Sequence, residues 1–302
     1  MNESNEAVIE FLGVRKRFGT QEAVRELSLR IPRGCVYALL GPNGAGKSTT
    51  IKMAMGSLRR DAGSIRILGR EVCDDPSWVK QRVGFVGELQ FIYRWMRIAE
   101  VIRFCSSFYP TWNATLCQEL VRRFELDPRK KVRHLSKGMT VKLGLLLAIA
   151  HEPEVLILDE PTSGLDPLMR EDFVDGILRN MCDGRRSILF ASHTLQDVQR
   201  LADRVGILVD GELLVDRPID ELLRTTKTIR AVLTDEKSPR RTPHGAIVES
   251  VDRREWSVTV SDFSAGQVEQ VRSQNRVESI DAVNMNLEEI FKAYVRGRRN
   301  VA

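Results

Sequence analysis

Residues 41–49 read Gly41-Pro42-Asn43-Gly44-Ala45-Gly46-Lys47-Ser48-Thr49, and this stretch decides the fold. It fits the phosphate-loop pattern, in which a glycine and any four residues precede Gly-Lys-Ser or Gly-Lys-Thr. The apolar run Val36–Leu40 predicts a buried strand before the loop, and the residues after the loop predict a helix. Glycines let successive backbone N–H groups turn towards one anion, and a helix start favours negative charge. The stretch therefore predicts a phosphate site.

Two side chains of this loop have a specific chemistry. Lys47 is long enough to reach the β- and γ-phosphates of a nucleoside triphosphate, and the Ser48 hydroxyl can ligate Mg²⁺. A glycine-rich turn that matches the pattern by chance is the alternative interpretation. The sequence downstream argues against that alternative, because it supplies the other groups that phosphate chemistry needs.

The composition limits the classes of partner. The 302 residues are 42% hydrophobic, which is enough for more than one compact unit with a core. The net charge of +5 is not gathered into a strongly cationic block. Since no basic stripe is interleaved with aromatic residues, we expect no nucleic-acid partner, whereas a weak attraction to anionic lipid headgroups stays open.

The cysteines and the hydropathy predict a location. The five cysteines are odd in number and contain no C-x-x-C pair, which indicates reduced thiols in a cytosolic protein. The first ten residues lack the apolar region of a secretory signal, and no stretch approaches 18 uncharged apolar residues. We therefore expect a soluble cytoplasmic protein, for which any role at a membrane must come through a partner.

Further apolar runs predict a sheet around the phosphate loop. Val155–Leu158, Ser187–Ala191 and Val205–Val209 are typical of strands that are buried on both faces. The helical pattern Leu168–Met181 lies between the first two of these runs and indicates a βαβ arrangement. Within residues 88–154 apolar residues recur at helical spacing, which predicts a helical subdomain.

The sequence as a whole predicts an α/β protein in two parts. Residues 1–227 contain the phosphate loop and the predicted sheet, and residues 228–302 form a small α+β extension. The short patterns in this extension are the strands Ala246–Val251 and Trp256–Val260 and the helices Phe263–Asn275 and Leu287–Val295.

Two carboxylates follow the apolar run that begins at Val155. Asp159 closes this run, at the edge where ligands bind in open α/β sheets, and it can hold Mg²⁺ directly or through water. Glu160 points elsewhere and can polarise an attacking water as a general base. An acidic strand end before a helix is the alternative interpretation. Beside a phosphate loop that alternative weakens, because phosphoryl transfer needs a metal ligand and a positioned water.

Three more segments complete a set of motifs. They are Leu135-Ser136-Lys137-Gly138-Met139, Ser163-Gly164-Leu165-Asp166 and Ser192-His193. With the phosphate loop and the Asp-Glu pair, and in this order, they resemble the nucleotide-binding subunit of ATP-binding cassette (ABC) transporters. The resemblance covers about Val8 to Arg217 and is far more specific than any single motif. It implies a P-loop NTPase core of the ABC type, ATPase activity, and ATP and Mg²⁺ as cofactors.

The resemblance also implies roles for single residues around the nucleotide. Phe18 matches the aromatic residue that stacks on adenine, with Val24 packed nearby, although an ordinary core phenylalanine is the alternative. His193 matches the switch histidine at the γ-phosphate. Lys47, Glu160 and His193 are then the implied catalytic residues.

Other residues are implied to act on a second copy of the chain. Ser136 and the Gly138 amide match the signature that contacts the γ-phosphate bound by the opposite subunit, at a helix N-terminus. Asp166 matches the loop that couples the two sites. The resemblance therefore implies a homodimer that sandwiches two ATP molecules, closes when ATP binds, and acts on separate transmembrane permease subunits.

The chain departs from the family pattern at two places. Lys137 and Met139 replace the first glycine and the glutamine of the usual Leu-Ser-Gly-Gly-Gln signature. The family has a glutamine just after the strand that corresponds to Val83–Val86. Here the spacing favours Glu88 at that position, with Gln90 as the alternative. Glu88 can ligate Mg²⁺ as a carboxylate or through water, or it is a surface acid.

The segment Phe91–Trp112 is rich in aromatic residues. In the family this region meets the permease, whereas the alternative is that the rings form the core of the helical subdomain. A subgroup is indicated by Phe108–Trp112, the Lys-Gly-Met signature and the tail Leu287–Gly297, which together resemble a bacterial exporter-type group that encodes the permease as a separate chain. The alternative function is a non-transport ABC ATPase that acts on a ribosomal or nucleoprotein partner. The translation factors of this kind carry two cassettes in one chain, whereas this chain has one. The DNA-repair ATPases carry a long coiled-coil insertion, whereas this sequence has no sustained heptad run.

Overall fold

The structure is a computed structural model that describes residues 6–88, 91–174, 186–236 and 240–301. The chain divides into two compact units, Met1–Leu213 and Leu214–Ala302. The described strands are β1 Ala7–Phe18, β2 Gln21–Pro32, β3 Val36–Leu40, β4 Ala62–Ile67, β5 Arg70–Glu71, β6 Val83–Val86, β7 Val155–Asp159, β8 Ser187–Ser192, β9 Arg204–Val209, β10 Glu212–Pro218, β11 Lys227–Leu233, β12 Ala246–Asp252, β13 Glu255–Val260 and β14 Val277–Asn284. The described α-helices are α1 Lys47–Ala54, α2 Pro76–Arg82, α3 Ile98–Ser106, α4 Ala114–Arg123, α5 Lys137–Ile149, α6 Pro167–Phe173, α7 Leu195–Leu201, α8 Ile219–Thr225, α9 Ala265–Gln274 and α10 Leu287–Val301.

A six-stranded sheet in the order β10-β9-β3-β8-β7-β6 is the centre of the first unit. The strands from β9 to β6 run parallel, and every residue of β3 and β7 is buried. Their uninterrupted apolar sequences suit strands that are covered on both faces. In the register Leu40 pairs with Ser192, and Asp159 pairs with Ala191. The residues that follow these strands therefore meet at one edge of the sheet.

A smaller antiparallel sheet, β2-β1-β4-β5, shares a core with the large sheet. Phe11 and Ile67 of the small sheet belong to the same buried cluster as Ile51 of α1 and Leu189 of β8. The predicted turn at Gly19 joins β1 to β2. Since α1 packs between the two sheets, its first residue, Lys47, is fixed in position by apolar burial.

The predicted helical region contains α3, α4 and α5. Asn113 and Ser136 cap α4 and α5 by accepting hydrogen bonds from the backbone N–H groups of Leu116 at 2.9 Å and Met139 at 3.2 Å. Most of α5 is buried, and its Ala148 packs directly against β6. These caps fix where the two helices begin, and Ser136 is at the same time a predicted site residue.

The helical pattern Leu168–Met181 lies partly in the described chain. Its first part is α6, which Asp166 caps by accepting a hydrogen bond from the Met169 N–H at 2.9 Å. Residues 175–181 of the pattern lie outside the described residues. Among the helices of the described ranges, none has the length and apolar character that a membrane span requires.

The second unit contains an antiparallel sheet in the order β12-β13-β11-β14, with α9 packed on one face. Ile229 and Trp256 of the sheet share a core with Val271 of α9. The sequence predicted β12, β13, α9 and α10 but not β11 or β14. The polar and largely exposed β14 lacks the apolar alternation that marks a half-buried strand. The boundary predicted after residue 227 falls within this unit, which also includes α8.

Gly84→Ala is expected to destabilise the first unit. A Cβ at this position of β6 would lie 2.2 Å from the Ala148 carbonyl oxygen and 2.9 Å from Leu156 Cδ1, so backbone would have to move. Overpacking of this kind costs roughly 1–3 kcal/mol in the free energy of unfolding, which a urea titration followed by circular dichroism would measure.

Gly266→Ala is the matched control for that substitution. The nearest atom to a Cβ on Gly266 of α9 would be 3.8 Å away, and alanine is the better helix former. We expect an unchanged or higher urea midpoint for this variant, and equal losses in both variants would contradict the packing argument.

Candidate active site

The phosphate loop connects β3 to α1 and borders a cavity of about 540 Å³. Gly46 is the residue before α1, and its φ is +105°. A Cβ on Gly46 would lie 2.3 Å from the Ala23 carbonyl oxygen, so only glycine fits this position. Residues 43–49 line the cavity and include the first turn of α1, whose backbone N–H groups have no partners within the helix. The loop therefore offers donors to an anion.

Several segments of the chain meet around this cavity. The lining residues outside the loop are Phe18, Gln21, Ala23, Glu88, Glu160, Ser163 and His193. The Phe18 ring is half exposed, and Lys16 Nζ lies 5.4 Å from its centre, so a flat ligand ring has a surface on which to stack. Val24 is buried in the core and does not line the cavity.

Sequence reasoning did not find Gln21, Ala23 or Ser163 as lining residues. The first two follow the turn at Gly19, and the only sequence signal for them is their closeness to Phe18 in that turn. Ser163 belongs to a segment that the sequence did single out, although the prediction named Asp166 within it. Side chains that line a cavity through turn geometry leave no periodic pattern.

The Lys47 ammonium is buried and lies beside a carboxylate. Its Nζ donates to the carbonyl oxygens of Gly41 at 2.7 Å and Pro42 at 3.3 Å, and lies 3.4 Å from Glu160 Oε1. The side chains of Lys47 and Glu160 are both less than a tenth exposed. A buried charge without partners is costly, so these contacts stabilise the ammonium next to the loop.

Glu160 stands between Lys47 and His193, directly after β7. His193 Nδ1 lies 2.8 Å from Glu160 Oε2, and the His193 backbone N–H donates to the same oxygen at 3.3 Å. The Glu160 backbone N–H donates to the Ala191 carbonyl oxygen at 3.0 Å, and its φ of +50° is uncommon for a residue with a Cβ. This turn places the Glu160 carboxylate at the cavity.

Ser48 and Asp159 join the loop to the end of β7. The Ser48 hydroxyl donates to Asp159 Oδ1 at 3.0 Å. Burial raises the pKa of Asp159, and the negative charges of Glu160 and Glu88 raise it further, while the Ser48 hydrogen bond opposes them. A divalent cation would offset this concentration of negative charge, so the hydroxyl and the carboxylate fit Mg²⁺.

No group of three or more His, Cys, Asp or Glu side chains within the described ranges could hold a metal ion by itself. This agrees with Mg²⁺, which is usually held by one or two carboxylates together with substrate phosphates and water. Glu88 is exposed and lines the cavity. Gln90, the alternative to Glu88, lies outside the described residues. The choice of Glu88 for this position stays a prediction.

Ser136, Gly138 and Asp166 do not line this cavity. Ser136 is exposed at the start of α5, and Gly138 packs against the Met169 side chain of α6. Asp166 is exposed and caps α6. These three residues therefore lie together around the starts of two neighbouring helices, away from the nucleotide cavity of their own chain.

A buried hydrogen bond links the loop after Glu160 to the helix after His193. The Thr162 hydroxyl donates to Asp197 Oδ2 at 2.7 Å, and both residues are buried. Burial raises the pKa of Asp197, and the Thr162 hydrogen bond counters that shift. Sequence reasoning did not find this pair, because its partners are 35 positions apart and neither belongs to a recognised spacing.

A phosphate loop, a hydroxyl and a carboxylate that fit Mg²⁺, and a second buried carboxylate beside the loop form an arrangement that is typical of nucleotide-hydrolysing proteins. The family model that matches residues 24–163 is described as ABC transporter. Relatives that are 31–33% identical over more than two thirds of both chains show that the chain belongs to the ATP-binding proteins of ABC transporters and is an ATPase.

Three relatives place the chain more closely within the family. It is 32% identical to the ABC transporter ATP-binding protein YtrB of Bacillus subtilis, over 71% of this chain and 73% of the relative. It is 33% identical to the daunorubicin resistance ATP-binding protein DrrA3 of Streptomyces coeruleorubidus, over 83% and 82%. It is 31% identical to the bacitracin transport ATP-binding protein BcrA of Bacillus licheniformis, over 76% of each.

A solved structure confirms the predicted fold. The ATP-binding subunit of an ABC transporter is 28% identical to this chain, with a TM-score of 0.65 over 72% of this chain and 92% of that subunit. The prediction of an ABC-type P-loop NTPase core from the five ordered motifs is thus confirmed.

Lys47→Ala is expected to weaken the binding of ATP roughly 10- to 100-fold. The substitution removes the ammonium from the loop and leaves the buried Glu160 carboxylate without that partner. Fluorescence titration with a labelled ATP analogue would measure the change. Lys80→Ala, on the exposed side of α2, is the control and should bind like the unchanged protein. Equal affinity in both variants would argue against the phosphate-loop role.

Thr162→Val is expected to destabilise the first unit in a pH-dependent way. The loss leaves a buried Asp197 oxygen without its donor, which costs roughly 1–3 kcal/mol. The pKa of Asp197 is already higher in the folded protein than in the unfolded chain. Ionisation of this carboxylate therefore opposes folding as the pH rises from the unfolded pKa through the folded pKa. The valine raises this pKa further. The loss of unfolding free energy should therefore be larger at pH 8 than at pH 5.

Thr162→Ser keeps the hydroxyl and is the control for the valine variant. Urea titrations of both variants at the two pH values would test the expectation. A loss that is the same at pH 8 and pH 5, or that is equally large for serine, would contradict the assignment of the loss to the hydrogen bond.

Proposed function

We propose that this protein is the ATP-hydrolysing subunit of an exporter, in which two copies sandwich two MgATP molecules and act on separate permease subunits. The observation that carries the proposal is the Glu160 carboxylate, held between the Lys47 ammonium and His193 at the mouth of the phosphate-loop cavity. A carboxylate there can take the proton of a water that attacks the γ-phosphate.

The residues of one chain have distinct parts in the proposed reaction. Lys47 exchanges its contacts with the Gly41 and Pro42 carbonyl oxygens for phosphate oxygens. Glu160 accepts the proton of the attacking water, and His193 keeps the carboxylate oriented through the contact with Oε2. Phe18 offers its exposed face to the adenine ring. Ser48 and Asp159 would hold Mg²⁺, which neutralises negative charge on the phosphates.

The second copy has a part that one chain does not perform for itself. Ser136, Gly138 and Asp166 lie around the starts of α5 and α6 and outside the cavity of their own chain. A helix start with an exposed hydroxyl is suited to a phosphate that another molecule presents. In the proposed homodimer each chain offers these residues to the γ-phosphate bound by the other. Contacts made only in the closed dimer allow ATP to shift the equilibrium towards closure.

The proposed permease surface consists of exposed aromatic rings. Tyr93 lies 5.9 Å from Trp95 and 5.8 Å from Phe104 between ring centres, and Phe104 lies 5.1 Å from Phe108. All four are exposed, although rings of this size are usually at least partly buried. Aromatic residues are common anchors of protein interfaces. A permease contact here would place the chain at the cytoplasmic face of the membrane.

The direction of transport is proposed from the relatives. One is named for daunorubicin resistance and one for bacitracin transport, and a third relative, from Burkholderia lata, is named a Nod factor export ATP-binding protein. Of these three names the Nod factor name states a direction, which is export, and we propose the same direction for this chain. The substrate itself depends on the permease.

Glu160→Gln is expected to retain ATP binding and to lower the turnover number at least about 100-fold, because the amide cannot accept the proton of the water. With ATP, the variant should accumulate a dimer that light scattering after gel filtration detects. Glu119→Gln, an exposed position on α4, is the control and should hydrolyse ATP normally. Turnover within a few-fold of normal in Glu160→Gln would remove Glu160 from the base role.

Trp95→Ala is expected to reduce capture of the permease. The Trp95 ring is two-thirds exposed, so its loss should leave ATP hydrolysis by the isolated chain unchanged. The tagged protein would be recovered from membranes in mild detergent and its partners quantified by mass spectrometry. A multi-span membrane protein should accompany the unchanged chain in comparable amount and fall several-fold with the variant.

Val251→Ala, an exposed apolar residue of the second unit, is the control for that experiment and should recover the permease normally. Equal recovery with both variants would exclude the aromatic surface as the anchor. Recovery of ribosomes or nucleoprotein in place of a membrane protein would favour the non-transport alternative.

A further inference from the structure

The second unit contains a cavity that ATP hydrolysis does not use. Its volume is about 370 Å³, within the range of small-molecule sites. One wall is α10, which contributes Glu289, Lys292, Ala293 and Arg296, and the other wall is a face of the sheet. All residues of the nucleotide cavity lie in the first unit, so the two cavities share no residue.

The sheet wall is the face that α9 does not cover. Alternate residues of a strand point to opposite faces, so Ile229 and Trp256 point to the α9 core while Arg230 and Ser257 point to the other face. In the register Arg230 lies opposite Ser257 and Thr228 lies opposite Thr259. The middle of this second face is therefore polar, with Val248 and Val283 on either side of the Thr228–Thr259 pair.

Hydroxyl groups form rows across this face. Thr228 Oγ1 lies 3.1 Å from Thr259 Oγ1, and Ser250 Oγ lies 2.8 Å from Ser257 Oγ. All four residues line the cavity, together with Asn284. The Thr228 hydroxyl also donates to Met285 Sδ at 3.2 Å, whereas the other three hydroxyls share one hydrogen bond each and keep further capacity to donate or accept. The wall can therefore bind several hydroxyl groups of a ligand.

The charges around the cavity favour an anion. Within the described chain, the guanidinium groups of Arg230 and Arg296 have no hydrogen bond or ion pair. The lining also includes Lys292 and two acids, Glu249 and Glu289. Basic side chains therefore outnumber acidic ones three to two, and the two arginines are the lining cations without a partner among the described residues.

The acidic side chains of the same face lie on the far side of Arg230. Asp252, Glu255 and Asp281 line a neighbouring hollow that shares Arg230 with the cavity. Asp281 is directly opposite Arg230 in the register of β11 and β14. An anion is repelled at that end of the face and attracted at the end beside α10. The arrangement thus selects one position for negative charge.

We propose that this cavity binds a phosphomonoester. Arginine has a planar fork of donors that matches phosphate oxygens, and a phosphate dianion has enough oxygens for both Arg230 and Arg296. The hydroxyl rows and Asn284 bind the hydroxyl groups of the organic part. A soluble sugar phosphate and the headgroup of phosphatidic acid both present this chemistry, and the experiment distinguishes them.

The test uses the full chain with its nucleotide cavity saturated by ADP. Isothermal titration calorimetry with ribose 5-phosphate should show binding, and ribose should not bind. Arg230→Gln and Arg296→Gln should each weaken binding about tenfold or more. Arg272→Gln changes an exposed arginine on α9, on the other side of the sheet, and should bind like the unchanged protein.

One further variant and one competition experiment separate this site from unfolding and from the nucleotide cavity. Asp281→Asn removes the acid opposite Arg230 and should tighten binding a few-fold, which an unfolded chain cannot imitate. Ribose 5-phosphate should bind equally well with and without saturating ADP. Displacement of ribose 5-phosphate by ADP would place the phosphate in the nucleotide cavity and overturn the proposal.

The lipid source is tested by flotation with vesicles of phosphatidylcholine, with and without phosphatidic acid. Arginine-dependent binding to the phosphatidic acid vesicles alone would keep the phosphomonoester site and identify a headgroup as its source. The proposal fails if neither ribose 5-phosphate nor these vesicles bind, or if binding is the same without Arg230 and Arg296.

Discussion

The buried contact between the Lys47 ammonium and the Glu160 carboxylate is the constraint on which the site depends. Each charge is almost fully removed from water, so each is tolerable only while the other, or a ligand, remains within a few ångströms. The two residues are 113 positions apart and meet because β3 and β7 both neighbour β8 in a parallel sheet. The fold and the reaction therefore depend on the same strand order, and an error in that order would bury an unpaired charge.

Physical signals of different strength explain which parts could be predicted from sequence. Apolar runs such as Val36–Leu40 and Val155–Leu158 predicted central strands correctly, because a strand that is buried on both faces has a continuous apolar sequence. The glycine spacing predicted the position of the phosphate loop, because the backbone conformation of the loop requires glycine at those positions. The polar β14 and the Thr162–Asp197 hydrogen bond left no such signal. The strand β14 forms because it pairs with β11 across the sheet. The Thr162–Asp197 hydrogen bond forms because folding buries both side chains together.

The positions of two helix starts, at Lys47 and at Ser136, provide a physical argument for the proposed dimer. Lys47 and the start of α1 are the cationic and dipolar groups that one chain aims at its own nucleotide. Ser136 lies at a second helix start, exposed and outside that cavity, and Lys137 beside it is exposed as well. The described part of the first unit thus has two helix starts suited to phosphate, and only one of them borders the nucleotide cavity. A second copy would make use of the other helix start without any additional binding element.

The second unit shows how one strand pattern can serve both stability and recognition. Its alternation puts Ile229 and Trp256 in a core, and the same alternation obliges Arg230 and Thr228 to share the opposite face. A guanidinium on an open surface costs little, because water solvates it. Arg230 and Arg296 are exposed, but both line the same cavity beside the hydroxyl groups, and neither has a hydrogen bond or ion pair within the described chain. Two arginines without partners at one concave wall are therefore a stronger sign of a ligand than a larger number of paired surface charges.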